Sequence, residues 1–198
     1  MKLRLMDYTM TSELEHGMRV SNMAYLVAKE LKLPEEQCRQ CALAGLLHDV
    51  GKITLQDDVE GEDPLVIEEI RYIRQHPRKG YDMLKRHDYP EVICDAVLYH
   101  HENWDGSGYP ENRYGEQIPL EACILRICDE FCEMIIDQPH RKAFSPEKAV
   151  SLLILVAKNF RLDVFLAFQR VLHQNPDGKL QLPEQQIDMR GELDQLWH

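Results

Sequence analysis

The chain is most informative at two stretches, His48-Asp49-Val50-Gly51-Lys52 and His100-His101-Glu102-Asn103-Trp104-Asp105-Gly106-Ser107-Gly108-Tyr109-Pro110. Each stretch follows an apolar helical pattern and begins with two adjacent candidate metal ligands, His-Asp in the first and His-His in the second. Neighbouring residues on a helix point about 100° apart, so an adjacent pair suits two neighbouring ions better than one ion. The two stretches therefore predict a site that holds more than one metal ion.

The remainder of the chain predicts one all-α domain. Its 198 residues are enough for a single sizeable core, and apolar residues recur with helical spacing while no strand alternation is present. We expect about seven helices arranged as a bundle around the metal centre. The expected divisions are an N-terminal extension at 1–10, the domain at 11–175 and a C-terminal tail with a short helix at 176–198.

Several helix boundaries can be predicted from capping residues. Ser12 and Glu15 have the spacing of a capping box at the start of the first helix, and Gly51 is expected to end the second. Pro77 is expected to break or kink a long helix that begins at residue 64. Three other prolines are each expected to open a helix: Pro34, Pro90 and Pro119.

Composition and charge exclude some functional classes. With 44% hydrophobic and 29% charged residues, the chain has an ordinary globular composition. The net charge of −11 argues against binding to duplex nucleic acid, which requires basic side chains. A phosphate ester entering such an acidic protein needs local positive charge, which divalent ions supply. No signal peptide and no apolar run of about 18 residues is visible, so we expect a cytoplasmic protein without a membrane segment.

Six cysteines are expected to be reduced core residues, because nearly all of them lie in apolar helical patterns. Cys38 and Cys41 form a C-x-x-C motif, but no second pair is available for a zinc site. We therefore interpret these two residues as a structural pair on one helix face.

The candidate metal ligands are histidines and aspartates that lie at helix ends or inside apolar helices. Each of them, taken alone, has an ordinary structural interpretation. Asp129 lies between Cys128 and Phe131 in an apolar helix, where a buried carboxylate requires a cationic or metal partner. The full candidate set is His16, His48, Asp49, His76, His100, His101 and Asp129.

The chain from Glu13 to about Leu172 resembles the HD-GYP domain, a bacterial branch of the HD phosphohydrolases that degrades cyclic di-GMP. The most specific match is the HHE-x-WDGSGYP run, and the order of all the motifs is kept. The other matching segments are 15–20, 46–53, 75–80, 118–122 with Asp129, and 139–143.

The resemblance implies an all-α bundle with two or three metal ions held by the seven candidate ligands, with Asp49 bridging two of them. An imidazole and carboxylate set suits two divalent first-row ions, of which iron or manganese is expected. Two such ions about 3.5–4 Å apart can generate a bridging hydroxide that attacks phosphorus. Lys52 is expected to face the phosphate and to assist the leaving oxygen, as a catalytic residue beside Asp49.

The loop with Gly108, Tyr109 and Pro110 distinguishes this family from other HD hydrolases, and three interpretations of it stay open. Tyr109 contacts the substrate, or the loop docks a signalling partner such as a diguanylate-cyclase domain, or the loop is a rigid connector that orients His101. In the segment near Pro139, the resemblance also assigns Gln138 and Arg141 to the substrate.

Three residues depart from the family pattern. Ser12 stands where members with three metal ions carry a glutamate, which favours two ions here. Cys132 replaces a frequent acidic residue, and Gln138 replaces an arginine expected to hold a substrate phosphate. We expect a metal-dependent phosphodiesterase that converts cyclic di-GMP to linear pGpG and onward to GMP. The alternatives are another cyclic dinucleotide or nucleotide as substrate, and a weakly catalytic binding module that signals through the GYP loop.

Overall fold

A computed structural model of the protein describes residues 10–56, 73–138 and 141–174. These residues form eight α-helices, and their only β pairing is an isolated bridge between Gln138 and Arg141. The all-α prediction is confirmed. The helices are α1 (Met10–Glu30), α2 (Glu35–Leu47), α3 (Gly51–Gln56), α4 (His76–Arg86), α5 (Glu91–Tyr99), α6 (Leu120–Met134), α7 (Pro146–Leu155) and α8 (Leu162–Gln174).

Proline positions predicted three helix starts to within one residue, because α2, α5 and α6 each begin directly after a proline. Two other boundary predictions were wrong. Helix α1 begins at Met10, so the exposed Ser12 lies inside its first turn rather than at the cap. Gly51 begins α3 instead of ending α2, which already ends at Leu47.

Pro77 lies in the first turn of α4, where a missing N–H group costs the helix nothing. The helix expected before it and the tail expected at 176–198 lie outside the described residues.

The core lies where α1 packs against α2, α6 and α8, and α8 also contacts α6. Its largest fully buried side chains include Tyr25, Phe131 and Phe168. All six cysteines are buried and free, which confirms that they are reduced core residues. Burial raises the pKa of the Cys41 thiol, so it stays protonated at neutral pH.

A close contact between α3 and α4 brings two predicted ligands together. A Cβ atom on Gly51 would lie 2.0 Å from the carbonyl oxygen of His76 and 2.6 Å from the nitrogen of Gly80. Only glycine permits this approach of the two backbones. Asp49 and His76 consequently lie side by side although 27 positions separate them in the sequence.

None of the helices in the described part of the chain combines the length and the apolar character needed to span a membrane.

Candidate metal centre

The fold brings all seven predicted ligands together, from five separate helices or helix ends. Donor atoms of these residues lie within 4.8 Å of one another in overlapping groups of three. One group is histidine alone, and the others combine histidine with carboxylates. The groups are His76, His100 and His101; His16, His48 and Asp49; His48, His100 and Asp129; and His16, Asp129 and Glu133.

Three of the histidines are oriented by the backbone of their own helix end. The Nδ1 atoms of His48, His76 and His100 each bond to the carbonyl oxygen three positions earlier, at 2.8, 2.7 and 2.6 Å. A carbonyl oxygen only accepts, so each Nδ1 carries the proton and donates it. Where the ring is neutral, as in His76 and His100, the Nε2 atom therefore presents a lone pair to the centre, as in metal-binding histidines.

Two of these lone pairs face each other. The Nε2 atoms of His76 and His100 are 3.2 Å apart. Burial lowers the pKa of His76 to about 4 and that of His100 to about 3, so both rings are neutral at pH 7. With both Nδ1 protons committed to carbonyls, neither ring can donate to the other. This repulsive arrangement fits a cation that accepts both lone pairs.

Asp49 contacts the cluster from both of its oxygens. Its Oδ1 lies 3.1 Å from His76 Nε2, and its Oδ2 lies 3.1 Å from His48 Nε2. Burial alone would raise the pKa of Asp49, but the charges of His48 and Lys52 outweigh it and hold the pKa well below its ordinary value. A buried carboxylate with one oxygen toward each half of the cluster suits the bridging role that the resemblance implies.

Asp129 completes the other side of the cluster. Its Oδ1 lies 3.0 Å from His16 Nε2 and 3.5 Å from His48 Nε2. Burial disfavours a charged ring at His48, yet Asp49 and Asp129 outweigh it and raise the pKa of His48 well above its ordinary value. The donor groups contain imidazole and carboxylate and no thiolate, which suits divalent first-row metals. The residues present thus fit the group that the sequence predicted.

Lys52 is held between two carboxylates at the edge of the cluster. Its Nζ lies 2.5 Å from Asp49 Oδ2 and 3.5 Å from Glu13 Oε2. Sequence reasoning placed Lys52 beside the cluster but missed Glu13. The available signal was spacing, because Glu13 lies three positions before His16 and shares its helix face.

Glu133 was also missed. It joins His16 and Asp129 in one of the donor groups, four positions after Asp129 on α6. Burial, followed by the charge of Asp129, raises the pKa of Glu133. The family pattern has an acidic residue three positions after this aspartate, where the present chain has Cys132. The acidic residue of this chain lies one position further on.

A cavity of about 350 Å³ opens onto this cluster. Carboxylates, two cationic side chains, two imidazole rings and one tyrosine ring share its wall. The lining residues are Asp49, Lys52, Ile73, His76, His101, Tyr109, Arg126, Asp129, Glu130, Glu133 and Met134.

The GYP loop directs Tyr109 into this cavity. The Tyr109 ring stacks on His101 with centroids 4.7 Å apart, and the Arg74 guanidinium lies 5.0 Å from the same ring. Burial, then the charges of Asp129 and Asp49, raise the pKa of Tyr109, so its hydroxyl stays protonated. Of the three interpretations of the loop, this position supports contact with substrate and orientation of His101.

Tight packing fixes the loop around Tyr109. A Cβ atom on Gly108 would lie 2.3 Å from the Asn103 nitrogen, so the loop has no room for a side chain there. The buried Glu102 accepts a 2.7 Å hydrogen bond from the Glu111 N–H across the loop. Pro110 follows Tyr109 through a cis peptide bond and does not line the cavity.

The two remaining predicted substrate contacts are engaged elsewhere. Gln138 donates from Nε2 to Glu133 Oε2 at 3.3 Å, and it is Glu133 that lines the cavity. The Arg141 guanidinium donates to three backbone carbonyls, at 2.8 Å to Glu133, 2.9 Å to Lys142 and 3.0 Å to Met134. Neither residue lines the cavity, and their contact with substrate stays a prediction.

Comparisons with known proteins agree with the motifs and with the fold. The chain is 38% identical over 138 residues to the cyclic di-GMP phosphodiesterase response regulator RpfG of Xanthomonas campestris, which covers 68% of this chain and 36% of that protein. It is 32% identical over 167 residues to a cyclic di-GMP phosphodiesterase of Pseudomonas aeruginosa, covering 83% of this chain and 40% of that protein. The chain therefore spans well under half the length of both relatives.

A solved structure shows the same fold. The crystal structure of a cyclic GMP-AMP specific phosphodiesterase of Vibrio cholerae matches with a TM-score of 0.64 at 19% identity, over 92% of this chain and 49% of that chain. The sequence pattern of the HD domain family matches residues 4–166. Since that match spans most of the 198 residues, the chain belongs to the HD domain family, as its HD-GYP motifs predicted.

Proposed function

We propose that the protein is a metal-dependent phosphodiesterase that hydrolyses cyclic di-GMP to the linear dinucleotide pGpG, and then hydrolyses pGpG onward to GMP. The observation that carries this proposal is the ligand cluster, in which two neutral histidines point bare Nε2 atoms at each other, 3.2 Å apart. The two relatives described above are both named as cyclic di-GMP phosphodiesterases, which supports the choice of substrate.

The ligand cluster would hold two divalent first-row ions, with iron or manganese as the proposed identities. The seven residues named above would bind them, and Asp49 would bridge. When bound, such a pair supplies Lewis acidity toward phosphoryl oxygens and an activated water for attack on phosphorus.

The chain's own residues bind and orient the substrate. Lys52 Nζ, held 2.5 Å from Asp49, carries a positive charge at the cavity wall and donates a hydrogen bond to a phosphoryl oxygen of the substrate. The same ammonium group donates a proton to the ester oxygen that leaves. Tyr109, packed on His101, offers a neutral hydroxyl and one face of its ring to the nucleotide.

The GYP loop can also be considered as a docking site for a signalling protein such as a diguanylate-cyclase domain. Its tyrosine points into the cavity, and this placement favours the substrate. The partner therefore stays a separate proposal.

The experiment is turnover by the purified protein, prepared without oxygen and loaded with Fe(II) or Mn(II). Cyclic di-GMP, cyclic GMP-AMP and cyclic di-AMP are compared, and the products are separated by chromatography. We expect pGpG from cyclic di-GMP and loss of activity in chelator. Metal-loaded protein that leaves every cyclic dinucleotide intact would contradict the proposal and favour the binding-module alternative.

A further inference from the structure

A cation and an anion lie side by side on the cavity wall, and the catalytic scheme above uses neither. Arg126 and Glu130 are one turn apart on α6, and Arg126 Nη1 donates to Glu130 Oε2. Their side chains are 13% and 27% exposed, and both line the cavity. A charged pair that is mostly buried beside a substrate cavity has lost much of its hydration, so its remaining polar atoms favour a ligand that bonds to them.

The Arg126 guanidinium is held in a fixed orientation. Its Nε donates to Asn103 Oδ1 at 2.9 Å, and Asn103 is itself bonded to Ser107 in the GYP loop. Among the described residues, no hydrogen bond is made by Arg126 Nη2 or by Glu130 Oε1. The pair thus leaves a donor next to an acceptor, both fixed in place.

The pair lies at the aromatic end of the cavity. Arg126 is bonded to Asn103, which follows His101 by two positions in the segment that leads to Tyr109, and Arg126, His101 and Tyr109 all line the cavity. Lys52 instead pairs with Glu13 on α1 at 3.5 Å, and His16 of the same helix shares a donor group with Glu133, further along α6. The seven-residue separation of Arg126 and Glu133 corresponds to roughly 10 Å along a helix. The cavity therefore has a phosphate end with Lys52 and a second end with aromatic rings and the Arg126–Glu130 pair.

We propose that Arg126 and Glu130 recognise the guanine base of the substrate through hydrogen bonds. This inference rests on the proposed function and deepens it. Guanine presents a carbonyl acceptor at O6 beside donors at N1 and N2. Arginine is a good partner for the O6 and N7 acceptors, and a carboxylate accepts from N1–H and N2–H. Adenine presents an amine donor at position 6 and a bare acceptor at N1, which would face the carboxylate. The pair therefore selects guanine and rejects adenine.

The test compares Glu130→Gln with the wild type on cyclic di-GMP, cyclic di-AMP and bis(p-nitrophenyl) phosphate, a phosphodiester without a base. We expect the wild type to prefer cyclic di-GMP in kcat/KM. Glu130→Gln should lower the ratio of the two cyclic dinucleotides by about tenfold or more, because a well-placed bidentate contact discriminates bases by about that factor. Its turnover of bis(p-nitrophenyl) phosphate should stay within about twofold of wild type.

Asn103→Ala is the matched control, because it removes the other anchor of Arg126 and leaves the carboxylate that faces the base. If the pair only supports the loop, Asn103→Ala and Glu130→Gln should lower turnover of all three compounds in parallel, which would overturn the inference. An unchanged guanine preference in an active Glu130→Gln enzyme would overturn it as well. Wild type that cleaves no cyclic dinucleotide would instead remove the proposed function, and this inference with it.

Discussion

The ligand cluster and the rest of the cavity wall are built in different ways. In the cluster, three histidine rings are oriented by carbonyls three positions earlier in the chain, so local backbone fixes these three ligands. On the wall, Lys52 is oriented by Asp49 and by Glu13 from α1, and Arg126 by Asn103 from the loop after α5, so side chains rather than backbone carbonyls hold these cations. Local anchoring makes the cluster insensitive to changes elsewhere. Pairing between side chains allows the residues of the wall to change, and substrate preference to change with them, while the ligand cluster stays the same.

The largest effect is expected in the cluster, from Asp49→Ala. The substitution removes the carboxylate that contacts His48, His76 and Lys52, and solvent cannot replace a bridging ligand at both positions. We expect turnover to fall by about 1,000-fold or more, together with the bound metal content. Activity assays and elemental analysis measure the two effects.

The matched control is Asp82→Ala, which removes an exposed carboxylate on α4. Both variants should keep a helical circular dichroism spectrum. If Asp49→Ala stays folded and retains most of its activity, the cluster is not the reaction centre.

The second effect is a pH dependence of the free energy of unfolding, which arises from the buried histidines of the cluster. Burial lowers the pKa of His76 to about 4 and of His100 to about 3, from an ordinary value of 6.5. Below pH 6.5 the unfolded chain therefore binds more protons than the folded one, so folding loses stability as the pH falls toward about 4. For the metal-free protein the loss should be on the order of several kcal/mol.

Burial raises the pKa of Glu13 and of Glu133, so these two carboxyls oppose the trend, whereas His101, whose pKa burial lowers well below its ordinary value, adds to it. The raised pKa of His48 contributes stability that is already complete below pH 6.5, and the lowered pKa of Asp129 matters only at lower pH. Urea unfolding between pH 4.5 and 7.5 measures the slope. His87→Gln, which alters an exposed ring, should leave it unchanged. A flat curve for the metal-free wild type would show that the rings are not neutral and buried as described.

A smaller effect is expected at Arg141, outside the cavity. Its guanidinium donates to the carbonyls of Glu133 and Met134 in the last turn of α6, which have no partner within the helix. Arg141→Ala should lower the free energy of unfolding by about 1–3 kcal/mol while KM changes by less than about threefold. Thermal unfolding and steady-state kinetics separate the two quantities.

Lys142→Ala is the control at the neighbouring position, because that side chain is 91% exposed. A tenfold rise in KM for Arg141→Ala with unchanged stability would support the substrate contact that the resemblance assigned to this residue.

The ligands were predictable from the sequence because local motifs carry them, such as adjacent pairs at helix ends and an aspartate in an apolar run. Helix α3 was not predicted, because six residues are too few to show a periodic pattern. Glu13, Glu133 and the Arg126–Glu130 pair were missed because a charged residue on a helix resembles any solvated one in sequence. Only the packing of α1, α2 and α6 shows that Glu13 pairs with Lys52 and that the other three side chains line the cavity.

The smallest effect is expected at Ser12, where the sequence departs from members with three ions. Ser12 is exposed in the first turn of α1, whereas Glu13 already directs its carboxylate toward Lys52. A glutamate at position 12 should therefore extend into solvent and bind no further ion. We expect Ser12→Glu to keep the metal content of wild type and to change stability by no more than about 0.5 kcal/mol, since an acidic residue in a first turn also favours the helix. Elemental analysis of both proteins, loaded side by side, measures this. A gain of about one ion per chain in the variant would show that position 12 does reach the cluster, and that the serine is what limits wild type to fewer ions.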